Sequence, residues 1–212
     1  MSLKLYKTLT DKRLLSVRNI IALLVIVYAL LLTAHTFQKK KQIDFFPFLT
    51  GASFIVQGES PYSAKADNFL REHWQVVRTH KVAAVIAYPL PALFAAVPFL
   101  YIPEQVRTAA WVGLSLMILI LGMSQLKSSV LSPLLIITFY PILHAANHQT
   151  PTLLWAGMAA LTCFGLKTLP PGIVGLALAI LPWKPQVGLI FSLIGAILAF
   201  KERREVFYRF LT

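Results

Sequence analysis

At 212 residues, 57% hydrophobic and only 13% charged, with a mean hydropathy of +0.69, this chain is far more apolar than a soluble domain, where about 25% of residues carry charge. That composition excludes an ordinary soluble globule and predicts an all-α, polytopic transmembrane helix bundle. The formal net charge of +12 sits at both chain ends and in loops, as membrane-flanking Lys and Arg do; no soluble basic domain stands out, so no nucleic-acid partner is expected.

Residues 1–18 form a basic lead: Lys4, Lys7, Lys12, Arg13 and Arg18, with Asp11 the only acid. An apolar span follows over about 19–37. The lead is long and no small-x-small site follows, so a cleaved signal peptide is not expected. The positive-inside tendency places the N-terminus in the cytoplasm, most simply beneath a bacterial inner membrane, although Lys39, Lys40 and Lys41 stand on the far side.

Residues 38–86 then make a long outer loop. Its core is QIDFFPFLTGASFIVQGESPY, residues 42–62. Asp44 stands at the mouth of the span, followed at once by Phe45, Phe46 and Phe48, with Pro47 suited to a first helical turn. Apolar residues recur at 45, 48, 52 and 55, a helical spacing, until Gly58 and Ser60-Pro61 stop the helix. Residues 63–80 repeat the theme, with apolar positions 66, 69, 70, 74 and 77 opposite Arg71, Glu72 and Arg78. Two helices lying in the membrane interface are expected here.

Four prolines at 89, 91, 98 and 103 interrupt the next apolar segment, 87–103. Spans are expected over about 107–124, 129–146, 149–166, 171–183 and 185–200, and then a basic amphipathic tail, 201–212. If 87–103 crosses, the bundle has about seven crossings and the basic tail falls outside; if it dips and returns, there are about six and the tail falls inside. The dipping arrangement is favoured, and its broken backbone should then line a cavity. The chain thus divides into a cytoplasmic segment 1–18, a membrane module 19–200 and the tail.

Few residues in this arrangement offer chemistry. Asp44 is the best general base among the outer acids, since it stands at the boundary among aromatics and partial burial tunes a carboxyl pKa; the plainer alternative is a helix N-cap or an end-of-span charge. Glu59 lies in a turn, and Asp67 and Glu72 lie on a solvated helix face. His144, Asn147, His148 and Gln149 cluster at the junction of two spans. His144 and His148 share the i, i+4 spacing of zinc ligands, but no third ligand is evident, so no metal is expected. Hydrogen bonding across helices or to a polar substrate suits the cluster better. Lys184, in Lys-Pro-Gln between two apolar segments, suits a phosphate as a point charge, with snorkelling as the alternative. The single cysteine, Cys163, lies in an apolar run and makes no internal disulfide. There is no catalytic Ser or Cys motif, Gly-rich phosphate loop or Asp-x-Asp pair; the lack of the last argues against a metal-dependent nucleotide-sugar transferase.

Taken together, Asp44-Phe45, Gly58 with Ser60-Pro61-Tyr62, Tyr88-Pro89-Leu90-Pro91, Gln149 at the head of a span and Lys184-Pro185 at the head of a later one resemble glycosyltransferase family 87. These are integral membrane proteins of the GT-C superfamily, related to polyprenyl-phosphate-mannose-dependent mannosyltransferases. The match covers residues 42–205. It implies that Asp44 corresponds to the family's catalytic acid at the outer face, with a lipid-phosphate sugar as donor and no cofactor or obligatory metal. Tyr62, Tyr88, His148, Gln149 and Lys184 become substrate-binding candidates. The family usually has Gly where this chain has His148. Its members also continue with further spans after the Lys-Pro segment, so the chain corresponds to their amino-terminal module. The alternative expectation is a catalytically inactive, transferase-like subunit packed in a larger membrane complex.

Overall fold

The computed structural model describes residues 19–34, 44–74, 86–126 and 140–211. These residues form helices joined by turns, with no strand among them. In chain order the helices are α1 (Asn19–Ala34), α2 (Phe45–Val56), α3 (Ala64–His73), α4 (Leu90–Phe94), α5 (Val97–Leu100), α6 (Glu104–Met123), α7 (Tyr140–Asn147), α8 (Thr152–Gly165), α9 (Pro171–Ile180), α10 (Pro185–Glu202) and α11 (Arg204–Leu211). A 3₁₀ turn, Leu181–Trp183, links α9 to α10. The basic N-terminal segment, residues 75–80 of the second loop helix and most of the span expected at 129–146 lie outside the described residues.

At about 1.5 Å per residue, the 20 residues of α6 reach across the ~30 Å hydrocarbon core of a bilayer. Among the described residues this is the one helix long and apolar enough to cross a membrane. The spans expected at 149–166 and 171–183 are shorter helices, α8 and α9. The segment 87–103 is two short helices, broken as its prolines require: Pro91 and Pro98 each take the second position of a new helix, where the missing N–H costs nothing.

The helix expected from 45, 48, 52 and 55 is α2, and it stops where Gly58 takes φ 73°. It does not lie on the surface of the protein, however. Phe45, Pro47, Phe48, Leu49, Thr50, Gly51, Ala52 and Phe54 are all buried, against α4 and α5 on one side and the rings of Trp111 and Trp155 on another. The expected stripe was one strip of a helix that is apolar all round, and such a helix belongs inside. α3 is the amphipathic one: Ser63 caps it by accepting the Ala66 N–H at 3.3 Å, Ala66 and Leu70 turn inward, and Arg71 and Glu72 face out.

The central crossing joins α6 to α8 through reciprocal glycines. A Cβ on Gly122 would stand 2.7 Å from the Ala160 Cβ and 2.7 Å from the Leu161 backbone nitrogen; one on Gly157 would stand 2.9 Å from the Leu119 nitrogen. Each helix therefore lets the other's backbone in, a close approach that only a residue without a Cβ allows.

At the far end the chain is closed by Arg203, between α10 and α11. Its Nη1 donates to the carbonyls of Leu166 (3.0 Å) and Leu169 (2.7 Å), which follow the last turn of α8 and have no helical donor. The nearby Lys167–Glu202 ion pair, at 2.8 Å, is exposed and contributes little. Arg203→Ala should destabilise the protein by about 1–3 kcal/mol, because two half-buried carbonyls lose a charged donor. An unchanged unfolding midpoint would show that the clamp is idle.

Candidate functional site

Asp44 occupies the N-cap position of α2 but does not cap it. Its backbone is helical (φ −96°, ψ −17°) and its side chain makes no capping hydrogen bond, whereas a capping Asp is extended and accepts an N–H from the first turn. The carboxylate is thus left for other work. The Asp44 N–H donates to the His148 carbonyl at 3.2 Å, which fastens the head of α2 to the turn after α7. From below, α2 is held by an aromatic floor. Phe45 stacks on Trp111 with centroids 4.7 Å apart and meets Phe99 edge-on at 6.0 Å, and Phe48 packs on Trp111 at 5.3 Å and Trp155 at 6.3 Å.

Three basic side chains act on this carboxylate. Burial raises the Asp44 pKa above its ordinary value, opposed by the electrostatic influence of His148, Lys184 and His144 in that order. Reciprocally, burial lowers the Lys184 pKa while Asp44 pulls it back up. The rings of His144 and His148 lie 4.1 Å apart, as their spacing of four on one helix end predicts. Among the described residues no group of three His, Cys, Asp or Glu gathers that could hold a metal ion.

Lys184 sits on the bend between the 3₁₀ turn and α10. That bend is tight: a Cβ on Gly188 would collide with the Leu181 carbonyl, and the Gly188 N–H donates to the Lys184 carbonyl at 2.7 Å. The Lys184 ammonium donates to Thr152 Oγ1 and stands 6.0 Å from the centre of the Tyr88 ring. Tyr88 in turn packs edge-on against Phe48 at 5.0 Å. Burial, and then the neighbouring Asp44 charge, push its phenol pKa up to about 12, so Tyr88 keeps its proton as a donor at any working pH.

Four of the six residues singled out in the sequence, Asp44, Tyr88, His148 and Lys184, therefore act on one another at the junction of α2, α7, α8 and the α9–α10 bend, and Gln149 follows His148 in the same turn. Tyr62 does so indirectly. It is 52% exposed, and its hydroxyl donates to the Tyr88 carbonyl at 2.7 Å, bracing the chain that carries Tyr88. Gln149, at the head of α8, is fully buried. Glu59 is elsewhere, paired with Lys65 at 2.6 Å on the surface. Thr152 escaped the sequence reading, and so did Thr150, whose hydroxyl donates to Thr152 Oγ1 at 2.9 Å. The available signal was Thr-Pro-Thr at a helix start, where hydroxyls bond the local backbone: the Thr152 N–H donates to Thr150 Oγ1 at 3.2 Å.

No family model, curated protein or solved structure matches this chain.

Proposed function

We propose that this chain is a membrane-embedded glycosyltransferase module of the GT-C type, transferring a sugar from a polyprenyl-phosphate donor with Asp44 as general base. The observation that carries the reading is the Asp44 carboxylate: half-buried, excused from capping, and within the electrostatic reach of His148, Lys184 and His144. In this mechanism Asp44 accepts the proton of the acceptor hydroxyl as that oxygen attacks the anomeric carbon. The bond from that carbon to the phosphate oxygen breaks, its electron pair leaves with the lipid phosphate, and the anomeric centre inverts. Lys184, steadied by Thr152 and Tyr88, offsets the phosphate charge. His148 and Gln149 orient the sugar by hydrogen bonds in this mechanism.

A polytopic membrane setting is part of the proposal. Leu23, Leu30 and Leu31 on α1 and Ile190, Leu193 and Ile197 on α10 are all half or more exposed, or nearly so. Apolar surface on this scale needs lipid or a partner subunit to cover it, and the N-terminus is inferred to be cytoplasmic from its Lys and Arg.

The test is to incubate purified protein with a polyprenyl-phosphate hexose and a hydroxyl acceptor. Release of polyprenyl phosphate with an inverted glycoside is expected. No donor consumption, together with a stoichiometric complex with unrelated membrane subunits in mild detergent, would instead favour the inactive-subunit reading.

A further inference from the structure

α2 and α7 end in the same hydrogen-bond pattern. After α2, the Glu59 N–H reaches back to the Phe54 carbonyl (2.8 Å) and the Gly58 N–H to Ile55 (3.0 Å). After α7, the Thr150 N–H reaches the Ala145 carbonyl (3.0 Å) and the Gln149 N–H reaches Ala146 (3.1 Å). This is the paired closure that places one left-handed residue just beyond a helix. In the first case that residue is Gly58, at φ 73°; in the second it is Gln149, at φ 57°, the one non-glycine residue with positive φ among the described residues. Glycine takes this conformation without steric cost, and a residue with a Cβ does not.

The side chain compounds the cost. Gln149 has no exposed surface, and neither its Oε1 nor its Nε2 has a hydrogen-bond partner. Replacing a buried, unpaired carboxamide with an apolar group of similar shape ordinarily favours the fold. Gln149 is thus wrong for its place twice over as a structural residue, yet it belongs to the short turn that runs from His148, whose carbonyl holds the Asp44 N–H, to Thr152, which holds Lys184. The indole N–H groups of Trp111 and Trp155, in the aromatic floor beneath the site, are likewise buried without partners.

We propose that the Gln149 carboxamide is the specificity element of the site and reads two adjacent hydroxyls of the bound head group. One hydroxyl donates to Oε1, and the oxygen of its neighbour accepts from Nε2–H. This rests on the polyprenyl-phosphate-sugar reading above and sharpens it to sugars with a vicinal pair at that position. Access to a fully buried amide requires the turn between α7 and α8 to open. The unpaired amide favours opening, since any movement that admits hydroxyls or water gives it its missing hydrogen bonds.

The test compares wild type with Gln149→Leu, using a short-chain prenyl-phosphate hexose and the set of its monodeoxy analogues, together with thermal unfolding of both proteins without substrate. Wild type should bind the parent donor and lose about 10–100-fold in affinity for analogues lacking either of two adjacent hydroxyls. Gln149→Leu should bind the parent and those two analogues equally weakly, and should melt about 2–4 °C higher. If leucine does not fold, Gln149→Gly, which the left-handed backbone accepts, serves for the binding comparison. Wild type binding the parent but tolerating every monodeoxy analogue would overturn the assignment. So would discrimination that survives in the variant, or a Gln149→Leu protein that melts lower. Failure of wild type to bind the parent donor would instead overturn the polyprenyl-phosphate-sugar reading and take this assignment with it.

Discussion

Asp44→Asn is expected to reduce sugar transfer by about 10²–10⁴-fold, the usual contribution of a positioned general base, while leaving the protein folded. The amide keeps the shape of the carboxylate and the main-chain hydrogen bond to His148, but it accepts no proton. Full activity in the purified variant would dispose of the mechanism. The pH dependence gives an independent check. Burial lifts the Asp44 pKa above its ordinary value, so the rate should fall on acidification at a higher pH than a solvent-exposed Asp would give. The effect on stability has the opposite sense. A carboxyl with a raised folded-state pKa contributes stability that is fully present below its unfolded pKa and is lost as pH rises through the folded value. At neutral pH the charged carboxylate therefore works against the fold. Asp44→Asn should melt no lower than wild type there, and the gap should close toward acid. A variant that is inactive because it has unfolded would show the reverse.

The second large effect is expected at Gly122. Valine there drives methyl groups into the Leu161 backbone and Ala160, already only 2.7 Å from a bare Cβ. Backbone cannot step aside as a flexible side chain would, so α6 and α8 must separate. A loss of about 1–3 kcal/mol is expected, the cost of overpacking a closed core, outweighing the gain in intrinsic helix propensity from replacing glycine. Gly172→Ala is the control: a Cβ there meets nothing within 4 Å, so the unfolding midpoint should stay level or rise slightly. Equal effects at the two glycines would mean that the crossing is not tight.

Helix content was legible because the apolar runs are long and the breakers explicit. Gly58, Ser63 and the prolines of 87–103 stop or start helices by local geometry that needs no tertiary partner. The burial of α2 was not legible in the same way. A stripe at 45, 48, 52 and 55 is compatible with a surface helix, and only the burial of Pro47, Leu49, Thr50, Gly51 and Phe54 beside it shows that the other faces are covered as well. The same division holds at the site. Asp44, His148 and Lys184 stood out as polar groups at apolar boundaries. That Asp44 declines to cap its helix follows from its backbone dihedrals, which sequence does not report. Thr152 was missed because threonine at a helix start has a sufficient local reason to be there, which hid its second role as the anchor of Lys184.

The bond between the Asp44 N–H and the His148 carbonyl has one further consequence. It is made wholly of peptide atoms, so every amino acid except proline at position 44 can form it, and any residue at position 148 can receive it. Alanine scanning would leave this joint intact and report it as unimportant; only an amide-to-ester exchange at position 44 would test it. For the same reason, substitution at either position other than by proline at 44 can alter reactivity while the head of α2 stays fastened to the turn after α7, which leaves this corner of the protein free to acquire new chemistry without rebuilding its frame.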